Sequence, residues 1–231
     1  MPYRRSTLAA AALALSVTTG VASANTIPVY STGNGSTTDG YADPHWSYTL
    51  VNNAGNGPSS GTSSAVVLAN GSPGNSGPDF FGGWVANSAA GAWIGDNISG
   101  SNSGYNSGNG GGSESYSTTF SMAGLNPSTA QISGEWTVDD AGELELNGNV
   151  VSTLVSGNWG SLFTFSAPSS DFVAGSNTLT VVLTNSDDQW EGTQVQITSA
   201  TADAAVPEPL SLALFGTGLA GLGLLRRRGR R

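Results

Sequence analysis

The basic residues of this 231-residue chain lie only at its two ends. Arg4 and Arg5 precede an apolar segment near the start, and a second apolar segment near the finish is followed by Arg226, Arg227, Arg228, Arg230 and Arg231. All 16 Asp and Glu residues lie between Ser6 and Leu225, where there is no Lys or Arg. A domain built from this stretch cannot form Lys or Arg salt bridges, so packing and hydrogen bonds must hold it together. Arginines that flank apolar segments are typical of topology signals that remain in the cytoplasm.

Residues 1–24 predict a secretory signal peptide. A basic start (1–5) is followed by an apolar run (8–17), which is shorter than the roughly 20 residues that span a bilayer. Ala22 and Ala24 then occupy the −3 and −1 positions that a signal peptidase reads. We therefore expect export through the general secretion translocon and a mature N-terminus at Asn25.

The C-terminus predicts a linker (203–209), a transmembrane helix (210–225) and an Arg-rich cytoplasmic tail (226–231). The apolar segment makes about 24 Å of helix, slightly less than a ~30 Å hydrocarbon core, and snorkelling arginines together with local thinning would cover the difference. Prolines before it stop any helix that runs in from upstream. The chain is therefore expected to be anchored in the membrane through this helix.

These residues closely resemble the PEP-CTERM sorting signal of Gram-negative bacteria. The resemblance implies that Pro207, Glu208 and Pro209 are recognised by an exosortase, an integral-membrane cysteine peptidase or transpeptidase. It further implies that 210–225 is the anchor, that the terminal arginines stop transfer, and that an inner-membrane precursor is released to the cell surface or the extracellular matrix. An ordinary C-terminal tail anchor is the alternative.

The central region is strongly acidic. Without Glu208 it retains 15 of the 16 acidic residues and no Lys or Arg, a net charge of about −15. Such a region repels nucleic acid and anionic lipid, whereas divalent cations suit its carboxylates. The absence of Cys excludes disulfides and thiol nucleophiles, and the single histidine, His45, excludes a multi-histidine zinc site. We expect His45 to pack near the N-terminal strand.

Alternating apolar residues predict an all-β domain over residues 41–202, after a loose lead-in at 25–40. The faces with this two-residue period are Tyr116, Thr118, Phe120 and Met122; Ile132, Gly134, Trp136 and Val138; Leu179, Val181 and Leu183; and Val195 and Ile197. Shorter strands are predicted at 65–68, 82–86 and 163–165. Because no segment shows a sustained helical period, we predict a two-sheet, jelly-roll-like β-sandwich of roughly eight to ten strands.

Turn chemistry predicts one hairpin and two long loops. Asn147-Gly148 separates apolar strands at 143–146 and 149–154, and a two-residue type I′ turn favours this Asn-Gly pair. Residues 52–64 and 99–113 are rich in Gly, Asn and Ser, which indicates loops.

A second resemblance concerns the body of the chain. The motifs Asp43-Pro44-His45-Trp46, Trp84 with Trp93-Ile94, Asp139-Asp140 before Leu146-Asn147-Gly148, and Gly175-Ser176-Asn177-Thr178-Leu179 recur in this order in some secreted bacterial domains. Those domains are similar to galactose-binding-like jelly rolls, which many carbohydrate-binding modules use. The resemblance implies a fold of that type and assigns no sugar site.

Two tryptophans are candidate carbohydrate contacts. Trp159 and Trp190 lie in turn-rich segments, and exposed indoles beside carboxylates and amides stack on sugar faces. The alternative is that they pack in the core. Trp136 shares the face of Ile132 and Val138, so we expect it in the core.

Two acidic segments are candidate Ca²⁺ sites. One contains Asp139, Asp140 and Glu143, and the other contains Asp187, Asp188 and Glu191. Calcium takes 6–8 oxygen ligands, which clustered carboxylates can supply. Neither segment has EF-hand spacing, and solvated turn carboxylates are the alternative.

The sequence marks no catalytic site. A glycosidase needs two carboxylates across a cleft, and no pair is singled out. We expect a non-catalytic, exosortase-sorted surface or matrix protein that associates with exopolysaccharide. The alternatives are a structural matrix component without a defined ligand and an extracellular polysaccharide hydrolase.

Overall fold

A computed structural model of the chain describes residues 24–53, 62–68, 83–96, 112–186 and 190–205, together with Gly218. Strands dominate, and short 3-10 turns lie at Thr32–Gly35, Pro127–Thr129 and Ser169–Asp171. The strands are β1 (Ala24–Thr26), β2 (Ala42–Asn53), β3 (Thr62–Val67), β4 (Ile94–Gly95), β5 (Gly112–Ser121), β6 (Gln131–Asp139), β7 (Ala141–Leu146), β8 (Asn149–Leu154), β9 (Phe163–Ala167), β10 (Ser176–Asn185) and β11 (Gly192–Asp203).

The strands form one antiparallel hydrogen-bonded path that folds into two layers. Its order is β8-β7-β10-β5-β2-β3-β4-β11-β6-β9, and β1 pairs with β11. Strands far apart on this path contact one another, since β8 meets β9 and β10 meets β6. The path therefore closes over a shared core, and the predicted all-β, two-sheet, jelly-roll-like sandwich is confirmed.

The apolar residues that recur with a two-residue period in the sequence fill that core. The inward faces of β5, β6 and β10 are buried as predicted, and Tyr116, Trp136 and Val181 are examples from each of these strands. Trp136 is fully buried, and its indole N–H donates to Ser152 Oγ at 2.9 Å. Strand formation thus follows from apolar alternation, because each strand buries one face.

The predicted Asn147-Gly148 hairpin is confirmed. It joins β7 to β8, and both residues have positive φ, 54° at Asn147 and 81° at Gly148. Asn147 also accepts a hydrogen bond from the backbone N–H of Thr178 at 3.0 Å, which ties the turn to β10. The turn residues therefore fix both the hairpin and its position against the neighbouring strand.

The lead-in at 25–40 belongs to the domain, which corrects the prediction that it is loose. Thr32 is buried, and its hydroxyl donates to the carbonyl of Ala92 at 2.6 Å. The backbone N–H of Gly33 donates to Asp43 Oδ2 at 2.6 Å. These buried hydrogen bonds attach the segment to the rest of the sandwich.

His45 stacks on Tyr30 with ring centroids 3.5 Å apart, as expected for packing near the N-terminal strand.

The segment at 83–86 forms no strand, so the prediction of one at 82–86 is wrong for its described part. Side chains hold this stretch instead of a ladder of backbone hydrogen bonds. The indole of Trp84 lies against that of Trp93, with centroids 3.9 Å apart. Asn87 accepts from the backbone N–H of Trp93 and donates to the carbonyl of Leu68.

The first and last strands of the domain, β1 and β11, pair with each other. Ala24 pairs with Asp203, and Ala205 N–H donates to the carbonyl of Gly124 at 2.9 Å. The predicted linker therefore begins inside the domain, and 203–205 are part of the fold. The two chain ends of the domain lie side by side here.

Several predicted features lie outside the described residues. They are the signal peptide up to residue 23, the centres of both Gly-rich loops, Asp187 and Asp188, the Pro-Glu-Pro motif, and the 210–225 and 226–231 segments apart from Gly218. Within the described ranges, none of the helical turns reaches the length and hydropathy needed to cross a bilayer.

Candidate functional site

One end of the sandwich collects most of its buried acidic side chains. We call it the acidic end and define it by Asp96, Glu114, Asp139, Asp140 and Glu191. Gly192 at the start of β11 pairs with Asp139 at the finish of β6, and Thr193 pairs with Ile94 of β4. Asn185, the last residue of β10, pairs with the first residue of β5. Strand ends from both layers therefore bring these residues together.

Three of these residues form a carboxylate cluster: Asp96, Glu114 and Glu191. One carboxylate oxygen from each lies within 4.8 Å of the others, and this is the one metal-sized group of acidic, His or Cys side chains among the described residues. Asp96 follows β4, and Glu191 precedes β11, the strand that pairs with β4. Glu114 is on β5, between Leu183 of β10 and the neighbouring strand β2.

Glu114 and Glu191 are fully buried, whereas Asp96 is half-buried. The Tyr116 hydroxyl donates to Glu114 Oε2 at 2.5 Å, and the Asn185 amide donates to Glu191 Oε2 at 3.1 Å. The Oε1 atom of each glutamate has no hydrogen-bond partner within the described part of the chain. Buried polar atoms are nearly always paired, so two such oxygens in one cluster require an explanation.

Burial and neighbouring negative charge raise the pKa values of both glutamates. Desolvation, and then the charge of Asp96, raise the pKa of Glu114 from 4.5 to about 7. Desolvation, followed by the charges of Glu114 and Asp96, raises the pKa of Glu191 from 4.5 to about 9. Burial also raises the pKa of Tyr116, so its hydroxyl remains a donor. The cluster therefore favours protons or an external cation.

The acidic residues that the sequence suggests as Ca²⁺ ligands do not come together in one site. Asp139 Oδ2 accepts from the Trp84 indole N–H at 2.7 Å, and Asp140 Oδ2 accepts from both the backbone N–H and the hydroxyl of Ser186. Glu143 is exposed on β7. Glu191 joins Asp96 and Glu114, and the predicted partners Asp187 and Asp188 lie outside the described residues.

The candidate sugar-contacting tryptophans also lie at the acidic end. Trp159 and Trp190 are both half-buried, and Trp190 directly precedes Glu191. The carbonyl of Trp159 accepts from Val85 N–H at 2.9 Å, which places its loop beside Trp84. Trp84, also half-buried, has its ring 3.4 Å from the position that a Cβ on Gly192 would take. Trp84 and Trp190 thus lie beside the start of β11, and the Trp159 loop lies next to Trp84.

Sequence reasoning missed Glu114, Asp96 and Trp84. Glu114 has the same parity on β5 as Tyr116 and Thr118, so strand alternation alone predicts that it points inward. Asp96 carries no comparable pattern, because its position depends on β4 pairing with β11. Trp84 becomes recognisable only through its contacts with Asp139 and Gly192.

Comparison with known proteins identifies no family. No family model matches the chain, and the search of curated proteins found no match. One solved structure, described as the structure of a family 35 carbohydrate binding module from an environmental isolate, has 20% sequence identity and a TM-score of 0.27. The match covers 69% of this chain and 93% of that chain. Similarity at this level carries no argument about function, which must come from the chain's own residues.

Proposed function

We propose that this chain is an exported, non-catalytic surface or matrix protein that binds carbohydrate at the acidic end of its β-sandwich. The observation that carries the proposal is the position of Trp159 and Trp190. Both are half-buried, and both lie at the end of the domain that also gathers the carboxylates. Indole faces stack on the apolar faces of sugar rings, while carboxylates and amides accept hydrogen bonds from hydroxyl groups.

The surrounding contacts support a rigid binding surface. Trp84 is held between Trp93 and the β11 start, and its indole N–H is fixed on Asp139. The Trp159 loop is fixed to Val85, next to Trp84 in the chain. Side chains that are already ordered lose little entropy when a ligand binds, so a surface of this kind suits weak polar ligands such as sugars.

The charge of the chain indicates which polysaccharides suit the site. The central region has no Lys or Arg to pair with sulfate, phosphate or uronate groups, and its many carboxylates repel them. The proposed ligand is therefore a neutral polysaccharide of the extracellular matrix. A polyanionic polysaccharide would require bridging cations.

The environment of the carboxylates supports a binding role over hydrolysis. Asp139 and Asp140 accept short hydrogen bonds from Trp84 and Ser186, and Glu114 is fully buried. A glycosidase pair needs both carboxyl groups in contact with the bond that is broken. The sandwich is accordingly proposed to act as a binding module.

Export and sorting complete the proposal and rest on the sequence. Signal peptidase would cleave after Ala24, and the 210–225 helix and terminal arginines would hold the precursor in the inner membrane. An exosortase would recognise Pro207-Glu208-Pro209 and release the protein to the cell surface or matrix.

Affinity electrophoresis through gels containing neutral glucan, galactan or mannan tests the binding function. The wild-type protein should be retarded by at least one of these polymers, while Trp159→Ala and Trp190→Ala should each weaken binding about tenfold or more. Val173→Ala is the matched control. Val173 is 49% exposed and contacts Asn177, in the network around the Asn147 turn at the opposite end of β7 from Asp140. Unchanged mobility of the wild type in every neutral and anionic polymer would instead favour a structural matrix component without a ligand, and release of reducing sugar would indicate a hydrolase.

A further inference from the structure

The carboxylate cluster of Asp96, Glu114 and Glu191 has no Lys or Arg beside it within the described ranges. Its ligand-type oxygens lie within 4.8 Å of one another, and two of the three side chains have no exposed surface. Carboxylates removed from water are strongly destabilised unless they are paired. The chain has no Lys or Arg between Ser6 and Leu225, and its single histidine is stacked on Tyr30. For the part of the chain that the structure describes, the compensating positive charge is therefore a proton or a bound cation.

The hydrogen bonds of the cluster leave one carboxyl oxygen of Glu114 and one of Glu191 without a donor among the described residues. Tyr116 and Asn185 each donate to an Oε2 atom, which orients the carboxylates of Glu114 and Glu191. The two Oε1 atoms have no partner among the described residues, although both are buried. Such donors preorganise the two carboxylates, and each glutamate keeps one buried oxygen for a ligand.

We propose that Asp96, Glu114 and Glu191 bind one divalent cation, and that Ca²⁺ is the preferred class. All the available donors are hard oxygens, which suit Ca²⁺, whereas zinc sites rely on His and Cys. Carboxylates can bind Ca²⁺ through one or both oxygens, and Ca²⁺ tolerates irregular geometry better than Mg²⁺ does. The ion would tie β4, β5 and the start of β11 together across the two layers.

This site differs from both calcium sites that the sequence suggests. Asp139 and Asp140 already accept hydrogen bonds from Trp84 and Ser186. Glu191 lies instead with Asp96 and Glu114, which are distant from it in sequence. The cation site is distinct from the proposed carbohydrate surface, because Glu114 and Glu191 are buried whereas Trp159 and Trp190 are partly exposed.

Terbium luminescence on the full-length chain in a non-ionic detergent tests the site directly. Tb³⁺ replaces Ca²⁺ at oxygen sites, and its emission is sensitised by a nearby aromatic ring such as Tyr116, whose hydroxyl is 2.5 Å from Glu114. We expect terbium emission to saturate at one ion per chain and to fall when Ca²⁺ displaces the bound Tb³⁺. Glu114→Gln and Glu191→Gln should each weaken Ca²⁺ binding about 100-fold or more. Glu143→Gln, an equal charge change on exposed β7, should leave the affinity unchanged.

Melting temperatures separate loss of the site from loss of the fold. In EDTA, Glu191→Gln should melt at or above the wild-type temperature, because the neutral amide replaces a buried carboxyl group that folding must protonate or leave without a counterion. With Ca²⁺ at a hundredfold excess over its dissociation constant, the wild type should gain about 5–10 °C and the variant should gain little. Equal gains in Ca²⁺, Mg²⁺ and NaCl of matched ionic strength would indicate screening and overturn the proposal. So would equal Ca²⁺ affinity in the wild type and Glu191→Gln, or an equal loss in Glu143→Gln.

Discussion

Glu114 and Glu191 approach each other from β5 and from the start of β11, and each has a fully buried carboxyl oxygen with no hydrogen-bond donor among the described residues. The pair joins two strands that do not hydrogen-bond to each other, since β5 pairs with β2 and β10 and β11 pairs with β4 and β6. The carboxyl groups of Glu114 and Glu191 therefore repel each other, when charged, at the contact between the two layers. It should dominate how the stability of the domain responds to pH.

We predict that the metal-free domain becomes less stable as the pH rises from about 5 to about 9. The pKa is raised from 4.5 to about 7 at Glu114 and to about 9 at Glu191, so the folded state holds protons that the unfolded chain releases above its ordinary carboxyl pKa. The neighbouring ionisable groups are Asp96, which adds repulsion, and Tyr116, which stays protonated. Urea unfolding in EDTA at several pH values measures the effect. Glu191→Gln should flatten the profile, and a wild-type profile that is already flat would contradict the prediction.

Gly134→Ala should destabilise the domain by about 3 kcal/mol or more, since overpacking a fitted core costs about 1–3 kcal/mol and here the obstacle includes backbone. A methyl group on Gly134 would overlap the carbonyl oxygen of Gln196 on β11 and lie 2.9 Å from Phe165 Cε1. Strands β6 and β11 would have to separate. Urea denaturation measures the change. Thr164→Ala, on the exposed face of β9, is the control and should cost only about 0.5 kcal/mol; equal losses in the two variants would refute the packing argument.

Secreted protein should begin at Asn25. Cleavage after Ala24 removes only the first residue of β1 and leaves Asn25 paired with Ala202 and Thr26 paired with Thr201. The Ile27 N–H also donates to the carbonyl of Ala200 at 2.9 Å, so the edge stays attached after processing. Mass spectrometry of material from the medium identifies the terminus. An intact Met1, or a start beyond Thr26 that removes the strand, would count against this site.

Replacing Pro207-Glu208-Pro209 with alanines should keep the protein in the membrane and stop its release. The apolar 210–225 segment and the arginines after it remain, so insertion and orientation should persist. Fractionation followed by immunoblotting compares membrane and medium. Replacing the terminal arginines is the complementary variant and should disturb orientation instead. Release of the alanine variant at the normal rate would show that the motif is not the recognition element.

Local sequence patterns predicted the parts of the fold in which side chains alternate. The inward face of β6 and the Asn147-Gly148 hairpin both follow from short-range rules, apolar alternation and positive φ at the turn. The same rule could have placed Glu114 inside the sandwich, because it lies two residues before Tyr116. It was missed because a glutamate is rarely expected in a core.

The remaining features depend on contacts between distant parts of the chain. The lead-in is ordered through Thr32 and Ala92, and the segment at Trp84 is ordered by Trp93 and Asp139. The cluster partner of Asp96 at residue 191 is defined only once β4 pairs with β11. No local pattern encodes these pairings, so the acidic end becomes visible only in three dimensions.

The direction of β11 has a consequence for how the protein meets its surroundings. This strand starts beside Glu191 and runs 12 residues to Asp203, about 40 Å at 3.3 Å per residue. The described part of the domain therefore ends at Ala205, at the pole opposite Glu191. If the proposed anchor holds the chain next to this pole, the proposed tryptophan surface would lie at the end of the domain farthest from the attachment point. In that arrangement the proposed binding of polysaccharide would not require prior release, and anchored and released copies would present the same surface.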